Sequence, residues 1–192
     1  VIVPAATFPT VASPILQLGL VPVFVDVEQG SYNIDPAEIR KGISAKTKMI
    51  MPVHSLGNPC EMKEIMEIAE EKNQKVLEDC CEAHGAKIGN KVVGSFGDVS
   101  SVSLFVAHNI TTGEGGLVFT NNEEYEEEVR SLREFGRITQ SAERFAYKDE
   151  KLGNYDTRYV FLNLGYNLRM TDIAASIGIQ QLKKLEDVNE TR

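Results

Sequence analysis

The sequence predicts an α/β protein in which a mostly parallel central sheet is covered by helices on both faces. Short apolar runs typical of buried parallel strands alternate along the chain with segments whose apolar residues recur at helical spacing. Polar residues follow several of these strands, as Asp26, His54 and Asp79 do. In this architecture ligands bind beyond the carboxyl ends of the strands. We therefore expect these side chains and the loop at residues 111–116 to gather at one edge of the sheet.

The first elements follow from local signals. Residues 21–27 (VPVFVDV) are predicted to form a buried strand, and a helical pattern at residues 10–18 is followed by Gly19, which can end a helix. Asp35 and Pro36 combine an N-cap residue with a first-turn proline. They predict a helix that runs to about residue 43.

The same alternation continues to the end of the chain. Further strands are predicted at residues 48–53, 76–79, 99–105 and 116–120. Further helices are predicted at residues 61–72, 122–135 and 172–185. Residues 138–161 are polar and poorly patterned, so we expect a long loop there.

The composition argues against several classes of protein. The 192 residues carry a formal net charge of −8 with a pI near 5.0. That balance disfavours a nucleic-acid-binding surface and a polybasic membrane-binding surface, because both need clustered Lys and Arg. No apolar run approaches the length of a membrane-spanning helix. Three cysteines, two of them adjacent, make no disulfide framework, which favours a cytoplasmic location.

Both ends of the chain suggest a longer protein. The chain begins with Val1-Ile2-Val3-Pro4 inside a strand pattern and without an initiator methionine. It stops at Arg192, directly after a helical pattern. We therefore expect the sequence to be a piece of a larger molecule.

Two motifs carry chemistry. Asp79 ends a strand in the segment 78–85 (EDCCEAHG), where its carboxylate can hold a protonated ring nitrogen or cap a turn. Taken alone, the cap would be the simpler interpretation. Residues 103–116 (SLFVAHNITTGEGG) then run from a strand end through a polar residue into a glycine-rich loop and another strand. The second motif favours a ligand site.

With the segments 4–8 (PAATF), 52–54 (PVH) and 164–172 (LGYNLRMTD), these motifs resemble the DegT/DnrJ/EryC1/StrS family of nucleotide-sugar aminotransferases, which use pyridoxal 5′-phosphate (PLP). The resemblance covers essentially the whole chain. It implies a three-layer type I aminotransferase fold with a mostly parallel sheet. Residues 1–192 would form most of the PLP-binding large domain, without its N-terminal segment and without the C-terminal small domain.

The resemblance also implies roles for individual residues. Asp79 would pair with the pyridinium nitrogen of the cofactor, Phe8 would stack on its ring, and Ser103 would hydrogen-bond its phosphate. Without the family context, Phe8 is equally well a core residue. Glu82 stands where the family has a glutamine near the phenolic oxygen of the cofactor. Asn167 would reach the phosphate bound by a neighbouring subunit, which makes the site depend on a homodimer.

The chain departs from the family at position 108. The family's lysine, which forms a Schiff base with PLP, stands five residues after the serine, and here that residue is His108. Lys87 and Lys91 do not fit the motif. An imidazole cannot form the Schiff base, but histidine titrates near neutral pH and can act as a general base. We therefore expect a noncovalently held cofactor in its aminated form, pyridoxamine 5′-phosphate (PMP).

With His108 in this place, the chain resembles one branch of the family, the nucleotide-sugar 3-dehydratases. The same branch is matched by residues 8–10 (FPT), 14–17 (PILQ), 56–59 (LGNP) and 107–108 (AH). The branch implies that PMP forms a Schiff base with a nucleotide-linked 4-keto-6-deoxyhexose while His108 acts as the base. The C3 hydroxyl group would then leave, and glutamate would restore the aminated cofactor. The product would enter deoxysugar and surface-polysaccharide synthesis.

One type of 3-dehydratase carries an iron–sulfur cluster on four cysteines. Cys81 matches the first of them, but the other three positions fall on Thr139, Ser141 and Asp149. Oxygen ligands replace thiolates poorly at such clusters, which argues against a cluster here. Cys60, Cys80 and Cys81 are then interpreted as small buried residues.

Two alternatives stay open. An ordinary sugar aminotransferase is disfavoured by the missing lysine. A noncatalytic regulator that binds PMP or a sugar is disfavoured by the retention of Asp79, Ser103 and Asn167. His84 is interpreted as a packing residue as readily as a site residue, and no chemistry is assigned to it.

Overall fold

The computed structural model describes residues 1–138 and 159–191, which divide into two units. The larger unit comprises Val1–Phe119 with Asp172–Arg192, and the smaller unit comprises Thr120–Thr171. Most of the predicted loop at residues 138–161 lies outside the described residues. So do Thr139, Ser141 and Asp149, the positions compared with cluster cysteines.

The central sheet confirms the predicted α/β architecture. The strands are β1 (Ile2–Pro4), β2 (Val23–Val25), β3 (Met49–Ile50), β4 (Lys75–Asp79), β5 (Lys87–Ile88), β6 (Lys91–Val92), β7 (Val99–Ser103) and β8 (Gly116–Thr120). Six of them form one sheet in the order β2-β1-β3-β4-β7-β8, while β5 and β6 pair as an antiparallel hairpin. The pairs β1–β2, β1–β3, β3–β4 and β4–β7 are parallel. Their carboxyl ends therefore lie at one edge of the sheet.

The helices follow the strands as the periodicity predicts. They are α1 (Ser13–Gln17), α2 (Pro36–Gly42), α3 (Met62–Glu71), α4 (Glu123–Arg133), α5 (Asp172–Leu182) and α6 (Leu185–Thr191). Among the helices of the described residues, none is long and apolar enough to cross a membrane.

Helices cover both faces of the sheet at β1. Ile2 of β1 belongs to a core cluster that includes Ile39 of α2 and Ile65 of α3. The next residue, Val3, belongs to a second cluster that includes Ile15 of α1. Successive side chains of a strand point to opposite faces. This alternation explains why β1 is apolar throughout, with every residue buried.

Most of the predicted helix boundaries are found within one or two residues. Asp35 Oδ1 accepts a hydrogen bond from Ala37 N at 2.7 Å, and Pro36 opens α2 as predicted. Gly19 follows α1 with a φ of +69°, a conformation that favours glycine. The predicted helix at residues 10–18 is instead a 3₁₀ turn followed by α1, because Pro14 cannot donate a backbone hydrogen bond to a continuous helix.

Two features of the larger unit differ from the sequence prediction. The predicted helix at residues 172–185 ends at Leu182, and a separate helix, α6, follows it. The β5–β6 hairpin is an additional element, which is absent from the elements predicted above. Its signal is the pair Gly89-Asn90 between the two strands, with Gly89 at a φ of +59°.

The smaller unit contains α4, which confirms the helix predicted at residues 122–135. Asn122 Oδ1 accepts a hydrogen bond from Tyr125 N at 3.1 Å and so caps this helix. Two isolated antiparallel bridges, Glu134 with Asn167 and Arg137 with Phe161, join the chain after α4 to the segment that precedes Thr171.

Candidate functional site

The parallel strands bring several predicted site residues to one edge of the sheet. Asp79 is the last residue of β4 and Ser103 is the last residue of β7. In the ladder between these strands Asp79 lies opposite Ser101, and Val53 forms an isolated parallel bridge with Asp79 on the other side. His54 therefore begins the loop beside Asp79. This gathering of polar residues at the carboxyl ends of the strands is the arrangement predicted from the alternation of elements.

Asp79 is held in place by two backbone hydrogen bonds and by contacts from Cys81 to its carboxylate. Its backbone N donates to Pro52 O at 2.9 Å, and its carbonyl oxygen accepts from His54 N at 3.0 Å. Its carboxylate oxygen Oδ1 accepts from Cys81 N at 3.0 Å. The predicted turn-capping contact is thus present. It occupies one carboxylate lone pair, and a carboxylate has capacity for further donors.

Cys81 connects Asp79 to β7, a role for which the sequence has no signal. Burial, followed by a hydrogen bond to the Asp79 carboxylate, raises the pKa of the Cys81 thiol to about 12. The Ser101 side chain and the Ser103 backbone also hydrogen-bond this sulfur. The thiol is therefore protonated at neutral pH and donates to Asp79. Its position two residues after Asp79 is the only feature of the sequence that could have indicated this role for Cys81.

The glycine-rich loop after Ser103 is fixed by backbone contacts at its base. Leu104 N donates to Gly115 O, and Thr112 N donates to Leu104 O, both at 2.9 Å. Ser103 Oγ accepts from Phe105 N at 3.2 Å. This contact uses the hydroxyl as an acceptor, so its proton can still be donated to an anionic group.

His108 lies in a turn at the start of this loop and has two ring neighbours. His108 N donates to Phe105 O at 3.1 Å, and the two rings pack edge to face with centroids 6.3 Å apart. The ring of His84 lies on another side, with centroids 6.0 Å apart. His108 is half-buried and His84 is buried. His84 is therefore a near neighbour of the predicted base, which its sequence context does not indicate.

Asn189 of α6 joins the loops that carry these two histidines. Its Nδ2 donates to His84 O at 2.8 Å, and its Oδ1 accepts from Asn109 Nδ2 at 2.7 Å. These partners lie 105 and 80 residues away in sequence. A cavity of about 350 Å³ opens between this helix and the loops, with Leu56, Glu82 and His84 among its lining residues.

Glu82 is bound to a neighbouring loop. Its Oε2 accepts from Leu56 N at 2.7 Å. Leu56 has a φ of +55°, and the following Gly57 has a φ of +84°. The carboxylate thus stabilises a tight turn while it lines the cavity. Its predicted contact with the phenolic oxygen of a cofactor stays a prediction.

Phe8 and Thr7 follow β1 and leave groups available to a ligand. The Phe8 ring is 71% exposed, which is unusual for a large aromatic side chain and argues against the alternative that it is a core residue. Thr7 Oγ1 is buried and has no hydrogen-bond partner among the described residues. An exposed flat ring, an unsatisfied hydroxyl, the Ser103 hydroxyl and the Asp79 carboxylate form a donor set that fits a phosphorylated pyridine.

Asn167, the remaining predicted site residue, belongs to the smaller unit. Its Oδ1 accepts from Arg169 Nε at 3.3 Å, and its backbone forms the bridge with Glu134. Its predicted role toward the phosphate of a neighbouring subunit stays a prediction.

His54, Glu78 and Cys80 form the group of described residues that has the composition of a metal site. Their donor atoms lie within 4.8 Å of one another, and all three residues are buried. Both imidazole nitrogens are already engaged, because Cys60 N donates to Nδ1 at 3.0 Å and Nε2 contacts Glu78 Oε2 at 3.2 Å. Burial also raises the pKa of the Cys80 thiol and opposes the thiolate that a metal needs. His54 and Glu78 thus bind each other, and the Cys80 thiol lies beside this pair.

Comparison with known proteins gives a match over the entire chain. The DegT/DnrJ/EryC1/StrS aminotransferase family matches residues 1–192. The lipopolysaccharide biosynthesis protein RfbH of Salmonella typhimurium is 42% identical over 100% of this chain and 46% of its own length. The dTDP-4-dehydro-2,6-dideoxy-D-glucose 3-dehydratase of Saccharopolyspora spinosa is 41% identical over 100% of this chain and 44% of its own. The chain thus spans about half the length of these curated relatives.

Two solved structures share the fold. The aminotransferase from Psychrobacter cryohalolentis aligns with a TM-score of 0.86 and 36% identity, over 97% of this chain and 46% of that one. The E. coli GDP-4-keto-6-deoxy-D-mannose-3-dehydratase with bound hydrated PLP aligns with a TM-score of 0.84 and 34% identity, over 96% and 48%. The observed sheet and its helices are therefore those of type I PLP-dependent enzymes.

Proposed function

This chain belongs to the DegT/DnrJ/EryC1/StrS aminotransferase family, and on that premise we propose that it is the cofactor-binding part of a nucleotide-sugar 3-dehydratase. The observation that carries the proposal is His108, which occupies the position of the Schiff-base lysine while Asp79 and Ser103 keep their places at the strand ends. The substrate is a nucleotide-linked 4-keto-6-deoxyhexose. The similarity to the 3-dehydratase of S. spinosa supports this choice.

The residues at the sheet edge suit a phosphorylated pyridine cofactor. In the proposal Asp79 binds its ring nitrogen, Ser103 and the unpartnered Thr7 hydroxyl bind its phosphate, and the exposed Phe8 ring covers one face. Glu82 lies near its phenolic oxygen. When bound, PMP supplies an amine for the sugar ketone and an aromatic ring that stores an electron pair.

His108 moves a proton in this scheme and forms no covalent bond. A ring nitrogen of His108 accepts the proton released beside the cofactor amine and returns it to the departing C3 hydroxyl group. The turn from Phe105 and the ring contacts with Phe105 and His84 hold the imidazole for this task. Since an imidazole cannot take over the amine as a lysine does, the chain favours loss of water over transfer of the amine.

The partners of the reaction follow from the same proposal. Glutamate supplies the amine that regenerates PMP, and two copies of the protein form a homodimer in which Asn167 reaches the phosphate bound by the other copy. The product is a 3-deoxy sugar for surface polysaccharide. The name of the Salmonella relative, a lipopolysaccharide biosynthesis protein, supports this destination.

A sugar aminotransferase is the second candidate function. It is supported by the similarity to the P. cryohalolentis aminotransferase, which is 36% identical over 97% of this chain. It requires an amine to release the product, and His108 does not supply one. The two functions differ in their products, so a single assay separates them.

The test combines the protein, expressed with the full coding sequence of its gene, with PLP, glutamate and a nucleotide-linked 4-keto-6-deoxyhexose. A 3-deoxy sugar with release of ammonia is the expected result. A stable amino sugar would establish the aminotransferase instead. Cofactor binding without turnover of GDP-, CDP- or dTDP-linked substrates would favour a noncatalytic regulator.

A further inference from the structure

Glu78 and His54 form a fully buried pair directly behind Asp79. Both side chains are 0% exposed, and His54 Nε2 lies 3.2 Å from Glu78 Oε2. Cys60 N donates to His54 Nδ1, so that nitrogen carries no proton and the remaining proton is on Nε2. The imidazole is therefore neutral and donates to the Glu78 carboxylate.

Glu78 collects three further donors from one loop. Gly94 N donates to Oε2, and Phe96 N and Gly97 N donate to Oε1, each at 2.7 Å. Burial raises the pKa of the Glu78 carboxyl group, but the bonds from His54, Gly97, Gly94 and Phe96 outweigh burial and keep this pKa below its ordinary value. Glu78 is thus a buried carboxylate whose negative charge is compensated by four hydrogen bonds.

The loop at residues 94–97 is built to lie against β4. A side chain at Gly97 would come within 2.7 Å of Val76 O, and one at Gly94 would come within 3.0 Å of Cys80 Sγ. Such close approach requires glycine. The carboxylate therefore ties β4 to a loop on one side and, through His54, to the segment before Cys60 on the other.

We propose that this pair positions Asp79 for the cofactor, an inference that rests on the proposed function. Glu78 and Asp79 are successive residues of β4, so their side chains point to opposite faces of the sheet. Any rotation or shift of the strand end that displaces the Asp79 carboxylate breaks the bonds of Glu78. His54 restrains both residues, because its side chain binds Glu78 and its backbone N donates to Asp79 O.

The first test replaces Glu78→Gln, which keeps the shape and removes the charge. An amide offers one acceptor oxygen, so its NH₂ group would face either Gly94 N with His54 Nε2 or Phe96 N with Gly97 N, all of which are donors. PLP and PMP binding to the unloaded protein is followed by titration. We expect binding to weaken roughly 10- to 100-fold, the range known for supporting hydrogen bonds behind metal ligands.

The bound cofactor supplies a second readout. Its absorbance as a function of pH reports protonation of the pyridine nitrogen. If Asp79 is displaced, the protonated ring loses its partner and gives up its proton at lower pH. We therefore expect the midpoint to move to lower pH in Glu78→Gln. A residue that supports only the fold would lower stability and leave this midpoint unchanged.

Three variants serve as controls for the expected effects of Glu78→Gln. Glu71→Gln makes the same chemical change on the surface, and Ile68→Val and Ile68→Ala destabilise the core away from the strand end. In His54→Gln the amide N–H of glutamine takes the place of Nε2 and can still donate to Glu78. In His54→Asn the amide oxygen of asparagine takes the place of Nδ1 and can still accept from Cys60 N. The proposal requires His54→Asn to show the loss of affinity and the lower midpoint expected of Glu78→Gln, and His54→Gln to retain more binding. If Glu78→Gln does not fold, these two variants provide the test.

The outcomes separate the two proposals. Failure of the unaltered protein to bind PLP or PMP overturns the proposed function and the positioning role with it. If the unaltered protein binds, the positioning role alone is overturned by an unchanged midpoint with unchanged affinity in the variants, or by an equal loss of affinity in the Ile68 variants at the same stability.

Discussion

At the scale of single residues, the proposed reaction depends on His108, whose imidazole exchanges a proton but cannot bond to the cofactor. Its place in the turn that begins at Phe105 keeps it half-buried beside His84. A lysine at this position would bring an amine to the same place. In the proposal, the choice between dehydration and amine transfer is therefore a property of one side chain.

Substitution of His108 tests this dependence. In His108→Lys we expect borohydride to attach the cofactor to the chain and the product to shift from the 3-deoxy sugar to an amino sugar, read by mass spectrometry. His108→Gln, which has neither base nor amine, should bind cofactor and lose roughly 10²- to 10⁴-fold in turnover. Full turnover in His108→Gln would contradict the role of His108 as the base.

The thiols of Cys60 and Cys81 are the second feature at this scale. Burial is the largest cause that raises the pKa of Cys60 and of Cys81 to about 12, from an ordinary value of 9.0. Between pH 9 and about pH 12, each thiol loses its proton in the unfolded chain and keeps it in the folded chain. The contribution of each thiol to stability is thus complete below pH 9 and is lost as the pH rises toward 12.

Alkaline unfolding measures this contribution. The free energy of unfolding should fall by about 1.4 kcal/mol per pH unit for each such thiol over this range. Urea unfolding of Cys60→Ala should therefore show a shallower decline than the unaltered protein, by about the slope of one proton. Equal slopes for the two proteins would show that Cys60 ionises as easily in the folded state as in the unfolded chain.

At the scale of elements, short-range signals account for where most helices and strands begin and end. Asp35 caps α2 through Ala37 N, and Asn122 caps α4 through Tyr125 N. These contacts involve residues two or three positions apart, so the sequence predicts them directly. The break at Pro14 and the hairpin at Gly89-Asn90 also have local causes.

The cap of α2 can be tested by substitution. Asp35→Ala removes the acceptor for Ala37 N and should lower the free energy of unfolding by about 1 kcal/mol, measured by urea denaturation. Asp35→Asn keeps an acceptor and should restore most of the loss. Glu38→Gln leaves the cap acceptor in place and removes a first-turn charge and the exposed pair with Lys41, so it should lower stability less than Asp35→Ala does. A loss in Asp35→Asn as large as in Asp35→Ala would argue against the cap.

At the scale of the whole molecule, the proposal places two active sites across a homodimer. In that proposal, residues of the larger unit would hold the cofactor and carry His108, and Asn167 of the smaller unit would complete the site of the other copy. In a mixed dimer, a defect in His108 of one copy and a defect in Asn167 of the other would therefore fall in the same site and leave the second site intact.

Complementation between variants tests this arrangement. His108→Gln and Asn167→Ala are each expected to be inactive as pure proteins, while refolding or coexpression of the two should restore about a quarter of the full activity. Mixed dimers of this kind contain one intact site and one doubly defective site. If mixed dimers form, as mass spectrometry can show, and activity does not return, the sites are not shared.

The sequence by itself determined the α/β class, the order of strands and helices, and the family, and it supplies the His108 on which the proposed function rests. These follow from periodicity, from caps and from motifs, all of which involve residues close together along the chain. The tertiary structure alone decided that Cys81 bridges Asp79 and β7, that His84 lies beside His108, that Asn189 joins their loops, and that Glu78 is bound by His54 and by the loop at residues 94–97. The physical reason is that such contacts join residues distant in sequence, or depend on the partners that a folded strand end acquires, and no local pattern records them.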